Sequence, residues 1–327
     1  MVRNRFGPKV GNFEVPVPPA IDVENVSKSY GKLLAVDRLN LKVDEKQVHG
    51  FLGPNGAGKS TTIKMLVGLL KPDSGSLRIL GQKTTGDNPA VRRRIGYMPE
   101  LPKFPKHLSG LELLDIYGQM YGMSKEERKS RASELIKMVG LEGRGKDRIG
   151  GYSKGMQQRI GIAQALISDP ELVILDEPSI GLDPVGMVEV RDMVKDITKT
   201  GKTVFFSSHL LGEVQQICDH VTVLNKGVSL FSGPLSEIGN KAVSRRLVVE
   251  VEKTTDAISN YFKTLSYGTV ESTGNTFTLH LNTTQDIRAE VSRGLTAAGG
   301  VIVGMRGEGG GLEDAFLSLI GKESLAS

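Results

Sequence analysis

The sequence predicts a two-part chain: a mostly parallel α/β unit, then a smaller α+β unit. Three observations carry that expectation. "KQVHGFL" (46–52) reads as a buried strand feeding the glycine-rich loop "GPNGAGKST" and then the helical pattern "STTIKMLVGLL". "ELVILDEPS" (171–179) sets the apolar run Leu172 to Leu175 ahead of two acids, the pattern of a parallel strand buried on both faces. Beyond residue 240, strand and helix patterns alternate as βαββαβ, a ferredoxin-like split repeat.

Composition bounds what such a chain is. At 327 residues and 39% hydrophobic content it can bury one large or two moderate cores, and two domains are expected. Its single cysteine, Cys218, excludes an internal disulfide framework and fits a reducing, intracellular compartment. No stretch approaches the ~20 apolar residues of a membrane span. Residues 1–20, "MVRNRFGPKVGNFEVPVPPA", lack the apolar centre of a signal peptide, so a disordered leader on a soluble chain is expected. The net charge of +5 is scattered except at Arg92, Arg93 and Arg94, and reads as a solvated surface; no nucleic-acid partner is expected.

Taking the elements in order, the glycine-rich loop comes first. Backbone N–H groups of such a loop at a helix N-terminus form a concave donor nest with roughly +0.5 charge. Gly53, Gly56, Gly58, Lys59 and Ser60 stand at phosphate-loop spacing, with Pro54, Asn55, Ala57 and Thr61 completing the cradle. Lys59 is placed for the β/γ-phosphates and the Ser60 hydroxyl for Mg²⁺. The helix that follows is expected to run up to Pro72. Kinases, GTPases, motors and transporters all use such loops, so the loop by itself does not choose a function.

The next strand delivers Asp176 and Glu177 at its C-terminal end, where parallel sheets bind ligands. Asp176 suits Mg²⁺, held directly or through water beside Ser60. Glu177 is then free to accept a proton from, or orient, a water attacking the γ-phosphate. A GTPase is the decoy. "DPVG" (183–186) matches DxxG and "NKGV" (225–228) nearly matches NKxD, in the right order. Guanine selection needs a carboxylate where Val228 stands, and Asp183 follows a glycine-containing turn instead of leaving a buried strand.

Between Glu100 and Tyr152 the pattern turns helical. Ser109-x-x-Glu112 and Ser124-x-x-Glu127 read as capping boxes, followed by apolar positions at Leu111, Leu114, Tyr117 and Tyr121, then Leu135, Met138 and Val139. This is an inserted helical subdomain, expected over about 101–165. The tail reads as strand "RRLVVEVE", helix "TDAISNYFKTL", strands "GTVES" and "NTFTLHL" around Thr273-Gly274, helix "TQDIRAEVSRGLTAAGG" and strand "VIVGMR". It holds no catalytic cluster, and His280 reads as a surface or edge residue. The expected division is a leader over 1–20, a nucleotide-binding domain over 21–239 and an accessory domain over 240–327.

Residues 21 to 235 resemble one family, the nucleotide-binding subunits of ABC (ATP-binding cassette) transporters. The resemblance rests on separate stations. Tyr30 in "VSKSYG" sits where the family stacks an aromatic ring on adenine. Glu100 in "IGYMPE" occupies the station of the family's usual glutamine, which contacts Mg²⁺ and the attacking water; a carboxylate there keeps the metal role. "YSKGMQQR" (152–159) is similar to the family signature, with Ser153 and Gly155 preserved as γ-phosphate donors and Lys154 and Met156 substituted. "SIGLDP" places Asp183 at the dimer-contact loop, and "FFSSH" places His209 at the γ-phosphate switch. The end, "LEDAFLSLIG", and the tail before it resemble the accessory domain of export-type members.

The resemblance implies a P-loop cassette with a mostly parallel core sheet, an antiparallel edge sheet and the helical subdomain, using ATP and Mg²⁺. It implies head-to-tail pairing, as a homodimer or with another cassette subunit, in which each signature closes the other's phosphate loop. It further implies an integral membrane permease as partner, transport in the export direction, and a peripheral place on the cytoplasmic face of the membrane. In the family the outer face of the helical subdomain, with Glu100 and Arg92–Arg94, receives cytoplasmic helices of that permease. Two other readings compete with it: a non-transport ABC ATPase acting on DNA or ribosomes, and a catalytically silent regulator. This chain has none of the former's coiled-coil insertion, zinc-binding cysteines or second cassette, and it retains the Lys59, Asp176, Glu177 and His209 that the latter would lack.

Overall fold

The computed structural model describes residues 18–84, 88–240, 245–283, 285–308, Phe316 and Gly321. The expected leader lies outside them up to residue 17, as does most of "LEDAFLSLIG". The chain begins with β1 (Ile21–Tyr30), β2 (Leu33–Val43) and β3 (Val48–Leu52), then α1 (Lys59–Leu66), β4 (Ser74–Ile79), β5 (Gln82–Lys83), α2 (Pro89–Arg93) and β6 (Ile95–Met98). Three longer helices follow, α3 (Gly110–Met120), α4 (Lys125–Met138) and α5 (Lys154–Leu166). Next come β7 (Leu172–Asp176), α6 (Pro184–Lys199), β8 (Thr203–Ser208), α7 (Leu211–Ile217), β9 (His220–Asn225), β10 (Val228–Pro234) and α8 (Leu235–Asn240). The last unit is β11 (Arg245–Val251), α9 (Asp256–Thr264), β12 (Gly268–Thr273), β13 (Thr276–Leu281), α10 (Arg288–Ala297) and β14 (Ile302–Glu308).

The central sheet has the order β10-β9-β3-β8-β7-β6, parallel throughout except for the β9–β10 hairpin. Every residue of β3, β7 and β8 is buried, and successive side chains go to opposite faces. Leu172, Ile174 and Phe205 join one core with α1 and the antiparallel edge sheet β2-β1-β4-β5. Val173, Leu175, Val204 and Phe206 join the other, with α5, α6 and α7. That double burial explains the unbroken apolar runs in the sequence.

Both expected capping boxes form: Ser109 with Glu112 opens α3, and Ser124 with Glu127 opens α4. Leu113, Leu114, Leu135 and Ile136 of these helices belong to the same core as Val173 and Leu175, so the inserted helices share the sheet's apolar interior. The helix after the glycine loop departs from expectation. It stops at Leu66 instead of near Pro72, because Gly68 takes a left-handed φ of 75° and its N–H bonds back to Met65.

Residues 245–308 form an antiparallel sheet of order β12-β13-β11-β14, the strand order of the split repeat. Leu247, Val249, Phe277 and Leu279 face Ile258 and Phe262 of α9 and Val291 and Leu295 of α10 in a core of their own. Phe262 stacks on Phe277 with ring centroids 4.1 Å apart. His280 lies on β13 with Nε2 3.5 Å from Glu271 of neighbouring β12.

Candidate functional site

The glycine-rich loop crosses from β3 to α1 against two neighbouring strands. A Cβ on Gly53 would lie 2.3 Å from the Leu224 carbonyl oxygen. At Gly58, which precedes α1 with φ 105°, a Cβ would lie 2.5 Å from the Ala35 carbonyl. Only glycine fits either place, which lets the loop backbone lie directly against the carbonyls of the neighbouring strands.

Lys59 is the first residue of α1 and is only 6% exposed. Its Nζ donates to the carbonyls of Gly53 at 2.7 Å and Pro54 at 3.3 Å, and lies 3.1 Å from Glu177 Oε1. A buried ammonium in water-poor surroundings needs such partners, and without phosphate these are what the loop supplies.

Glu177 follows the last residue of β7, next to β8 in a parallel pair. Its φ of 49° is left-handed, a conformation that costs of order 1–3 kcal/mol for a residue other than glycine. Neighbouring bonds hold it there. Its N–H donates to Ser207 Oγ at 2.9 Å, and its Oε2 lies 2.8 Å from His209 Nδ1. The Ser207 hydroxyl in turn donates to Asp176 Oδ1 at 2.7 Å. One serine of "FFSSH" thus positions both acids. The pattern "FFSSH" by itself assigns a role only to His209; the place of Ser207 two residues before it, on the strand beside β7, is the signal for its part.

Burial pushes the Asp176 carboxyl above its usual pKa, opposed by hydrogen bonds from Ser207 and Ser60 and reinforced by the nearby charges of Glu100 and Glu177. Burial likewise lifts the Tyr97 phenol to about 12, with the same Asp176 and Glu100 adding to it. Asp176 is therefore a desolvated carboxylate in negative surroundings, and cation binding there would relieve the cost.

The structure brings Lys59, Ser60, Asp176, Glu177 and His209 together, with Glu100 close enough to act on Asp176 by charge. The remaining candidates stand apart. Among the described residues no hydrogen bond or ion pair joins Tyr30, Ser153 or Gly155 to that group. Tyr30 ends β1 and is 48% exposed. Ser153 caps α5, its Oγ accepting from Met156 N–H at 3.2 Å. Lys154, to which the sequence assigned no contact, folds over the loop carrying Asp183: a Cβ on Gly181 would meet its Nζ at 2.0 Å. Asp183 itself caps α6, accepting from Gly186 N–H at 2.8 Å.

Two local readings are settled by geometry. "NKGV" is the β9–β10 hairpin turn, with Lys226 at φ 45° and Gly227 at φ 83°, so its likeness to a guanine-reading motif comes from turn chemistry. Arg94 binds Glu171 through two bonds of 2.5 and 2.6 Å, a structural clamp, which removes it from the basic run expected to meet a partner. Arg92 instead lines a cleft of about 340 Å³ with Leu69, Tyr97, Phe104, Tyr117 and Tyr121, between the sheet and the inserted helices. No helix among the described residues is long and apolar enough to cross a membrane.

Comparison with known proteins places this geometry in context. A family model described as ABC transporter matches residues 36–180. A bacitracin transport ATP-binding protein of Bacillus licheniformis is 42% identical over 219 residues, 67% of this chain and 71% of that protein. The Nod factor export ATP-binding protein I of Cupriavidus metallidurans is 33% identical over 303 residues, 93% and 98% of the two chains. Among solved structures, a dimeric ATP-binding cassette in a post-hydrolysis state bound to ADP and phosphate superposes with a TM-score of 0.61 at 28% identity, covering 65% of this chain and 98% of that one.

Proposed function

This chain belongs to the ATP-binding subunits of ABC transporters, and from that premise we propose that Lys59, Asp176, Glu177 and His209 form its hydrolytic centre, completed by Ser153 and Gly155 of a second subunit. The observation that carries the proposal is Glu177, a strained, buried carboxylate held between Lys59 and His209 at the edge of a glycine loop. When ATP enters, its β- and γ-phosphates compete with Glu177 for the Lys59 ammonium. Released from Lys59, Glu177 accepts the proton of a water whose oxygen bonds to the γ-phosphorus, while the bond from that phosphorus to the β-phosphate oxygen breaks and ADP leaves. His209 Nδ1, already on Glu177, orients the carboxylate and can turn its N–H toward the γ-phosphate. Along the loop from Gly53 to Thr61, backbone N–H groups such as those of Asn55, Gly56 and Gly58 hold the phosphates, while Pro54, which has no N–H, and Ala57, whose N–H bonds the Pro54 carbonyl, shape the turn, and Tyr30 offers its exposed ring to adenine.

The oxygen donors fit Mg²⁺. Ser60 and Asp176 are hard ligands already in contact, and Glu100, whose charge acts on Asp176, is the third candidate oxygen ligand. Bound there, Mg²⁺ would neutralise charge on the phosphate oxygens.

Ser153 opens α5 of the inserted helices and Gly155 follows it in that helix's first turn, on a different element from the phosphate loop, which fits pairing in which each signature faces the other subunit's ATP, as a homodimer or with another cassette subunit. Desolvated, charge-assisted contacts to the γ-phosphate favour the closed pair and vanish on hydrolysis. The cleft between Leu69, Arg92 and Tyr117 would receive the membrane subunit, and a place on the cytoplasmic face of the membrane follows from that partner. Relatives named for bacitracin transport and Nod factor export support export.

Size-exclusion chromatography with ATP and Mg²⁺ tests the reading. Glu177→Gln should run as a dimer, Glu177→Gln combined with Ser153→Arg as a monomer, and both as monomers without nucleotide. A Glu177→Gln protein that binds ATP yet stays monomeric at tens of micromolar would overturn the homodimer and point to another cassette subunit.

A further inference from the structure

Helix α5, opened by Ser153, carries Ile160, Ile162, Ala163 and Leu166 into the core that also holds Met98 and Leu175. One polar side chain goes in with them. Gln158 is only 1% exposed; its Nε2 donates to the Glu100 carbonyl at 3.3 Å, while its Oε1 is enclosed with no hydrogen-bond partner among the described residues. A carbonyl can only accept, so the amide nitrogen is the atom that faces Glu100.

An amide is a costly choice at this place. An acceptor buried without a donor destabilises a fold, whereas leucine or methionine would fill nearly the same volume with nothing unmet. Packing therefore does not account for Gln158, and its bond does. The Glu100 carbonyl lies in a stretch with little else to fix it: Pro99 and Pro102 have no N–H, and among the described residues no turn or loop hydrogen bond between backbone groups ties residues 99–104. Gly161, one turn beyond Gln158, brings α5 against the same stretch, since a Cβ there would lie 3.3 Å from Met98 Sδ and from Pro102 Cγ. Helix and loop are joined at two adjoining points.

The two ends of this link serve different sites. Glu100 acts on Asp176 by charge and is a candidate metal ligand in its own chain. Ser153 stands roughly 7–8 Å from Gln158 along the helix axis, at about 1.5 Å per residue, and in the pairing proposed above it faces the other subunit's ATP. A displacement at Ser153 reaches Gln158 through a stiff stretch of helix and, through its amide, the Glu100 backbone. We propose that Gln158 is a positioning residue coupling the two ATP sites of the pair: through the Glu100 carbonyl it sets the Glu100 carboxylate at one site according to whether Ser153, on the same helix, is engaged by ATP at the other. The proposal rests on the roles given above to Ser153 and Glu100. Such a coupling is read as a change of cation affinity at one site caused by contacts at the other.

The experiment measures Mn²⁺ binding to the ATP complex by electron paramagnetic resonance, on the full chain carrying Glu177→Gln so that ATP stays intact. Breaking the pair with Ser153→Arg should weaken Mn²⁺ binding about five- to tenfold. Gln158→Met, which keeps the volume and removes the donor, should weaken it as much, and Gln158→Leu is the second volume match with the same expected loss. The double variant Ser153→Arg with Gln158→Met should bind Mn²⁺ within about twofold of either single one. ATP affinity in EDTA should stay within about twofold in Gln158→Met, because the nucleotide cradle is untouched. Mn²⁺ affinity at the parent value in both Gln158 variants, as a merely structural role would leave it, or losses that multiply in the double variant, would overturn the coupling while the pairing stands. If instead Ser153→Arg still runs as a dimer with ATP, the pairing itself fails and the coupling with it.

Discussion

Along β3, β7, β8 and the loops that leave them, the buried side chains include His49, Lys59, Asp176, Glu177, Ser207 and Ser208; beyond residue 240, every buried side chain described is apolar. Both regions are strands and helices packed around an interior, and both bury phenylalanines. They differ in what desolvation is used for. In the C-terminal unit it drives packing, and among the described residues it buries no charged group. At the C-terminal ends of the central strands it removes water from charges that hold one another in check, so an arriving phosphate finds Lys59 held by replaceable partners and Asp176 in need of a cation. The difference teaches where to look for chemistry: at buried polar groups whose partners are replaceable, not at an apolar cleft.

That contrast makes four predictions, from the largest effect to the smallest. Glu177→Gln should lower kcat by about 10²–10⁴ while leaving ATP affinity within a few-fold, since it removes a proton acceptor and little binding. Rapid-mix turnover and equilibrium binding of a fluorescent ATP analogue measure the two separately; a parallel loss of both would show that Glu177 only shapes the pocket. Phe262→Ala should cost the C-terminal unit about 3–5 kcal/mol, because the ring is buried and stacked on Phe277. Thermal unfolding should then split into two transitions, with ATP raising only the upper one. A single transition that ATP still shifts as a whole would mean that the two regions are not separable.

The third prediction concerns pH. Burial, with His220 nearby, lowers the His49 pKa to about 3. Below an unfolded pKa of ~6.5 the unfolded chain takes up a proton that the folded chain refuses until about 3, so stability is lost as pH falls through that window, by about 3 kcal/mol at pH 4.5. Denaturant unfolding at pH 7 and 4.5 should show a smaller loss for His49→Gln than for the wild type, and an equal loss would remove His49 from the account. Last, Tyr30→Ala should raise KM for ATP several-fold, about 1 kcal/mol, with kcat unchanged, as loss of stacking shared by ground and transition states requires. An unchanged KM would take adenine off that exposed ring.

The amino-acid sequence by itself determined much of this protein. The spacing of Gly53, Gly58, Lys59 and Ser60, the buried run ending at Asp176 and Glu177, the two capping boxes and the βαββαβ order of the tail are local patterns, set by backbone conformation, hydrogen bonding within a few residues and apolar periodicity. Only the tertiary structure decided that Ser207 bonds both acids, that Glu177 sits at a left-handed φ between Lys59 and His209, that Gly68 ends α1, that Arg94 is taken by Glu171, and that Gln158 reaches the Glu100 carbonyl. Each of those joins residues that are distant in sequence or selects one of several local conformations. Such choices follow from which strands lie side by side and which polar groups remain once water is gone, and no window of neighbouring residues contains that information.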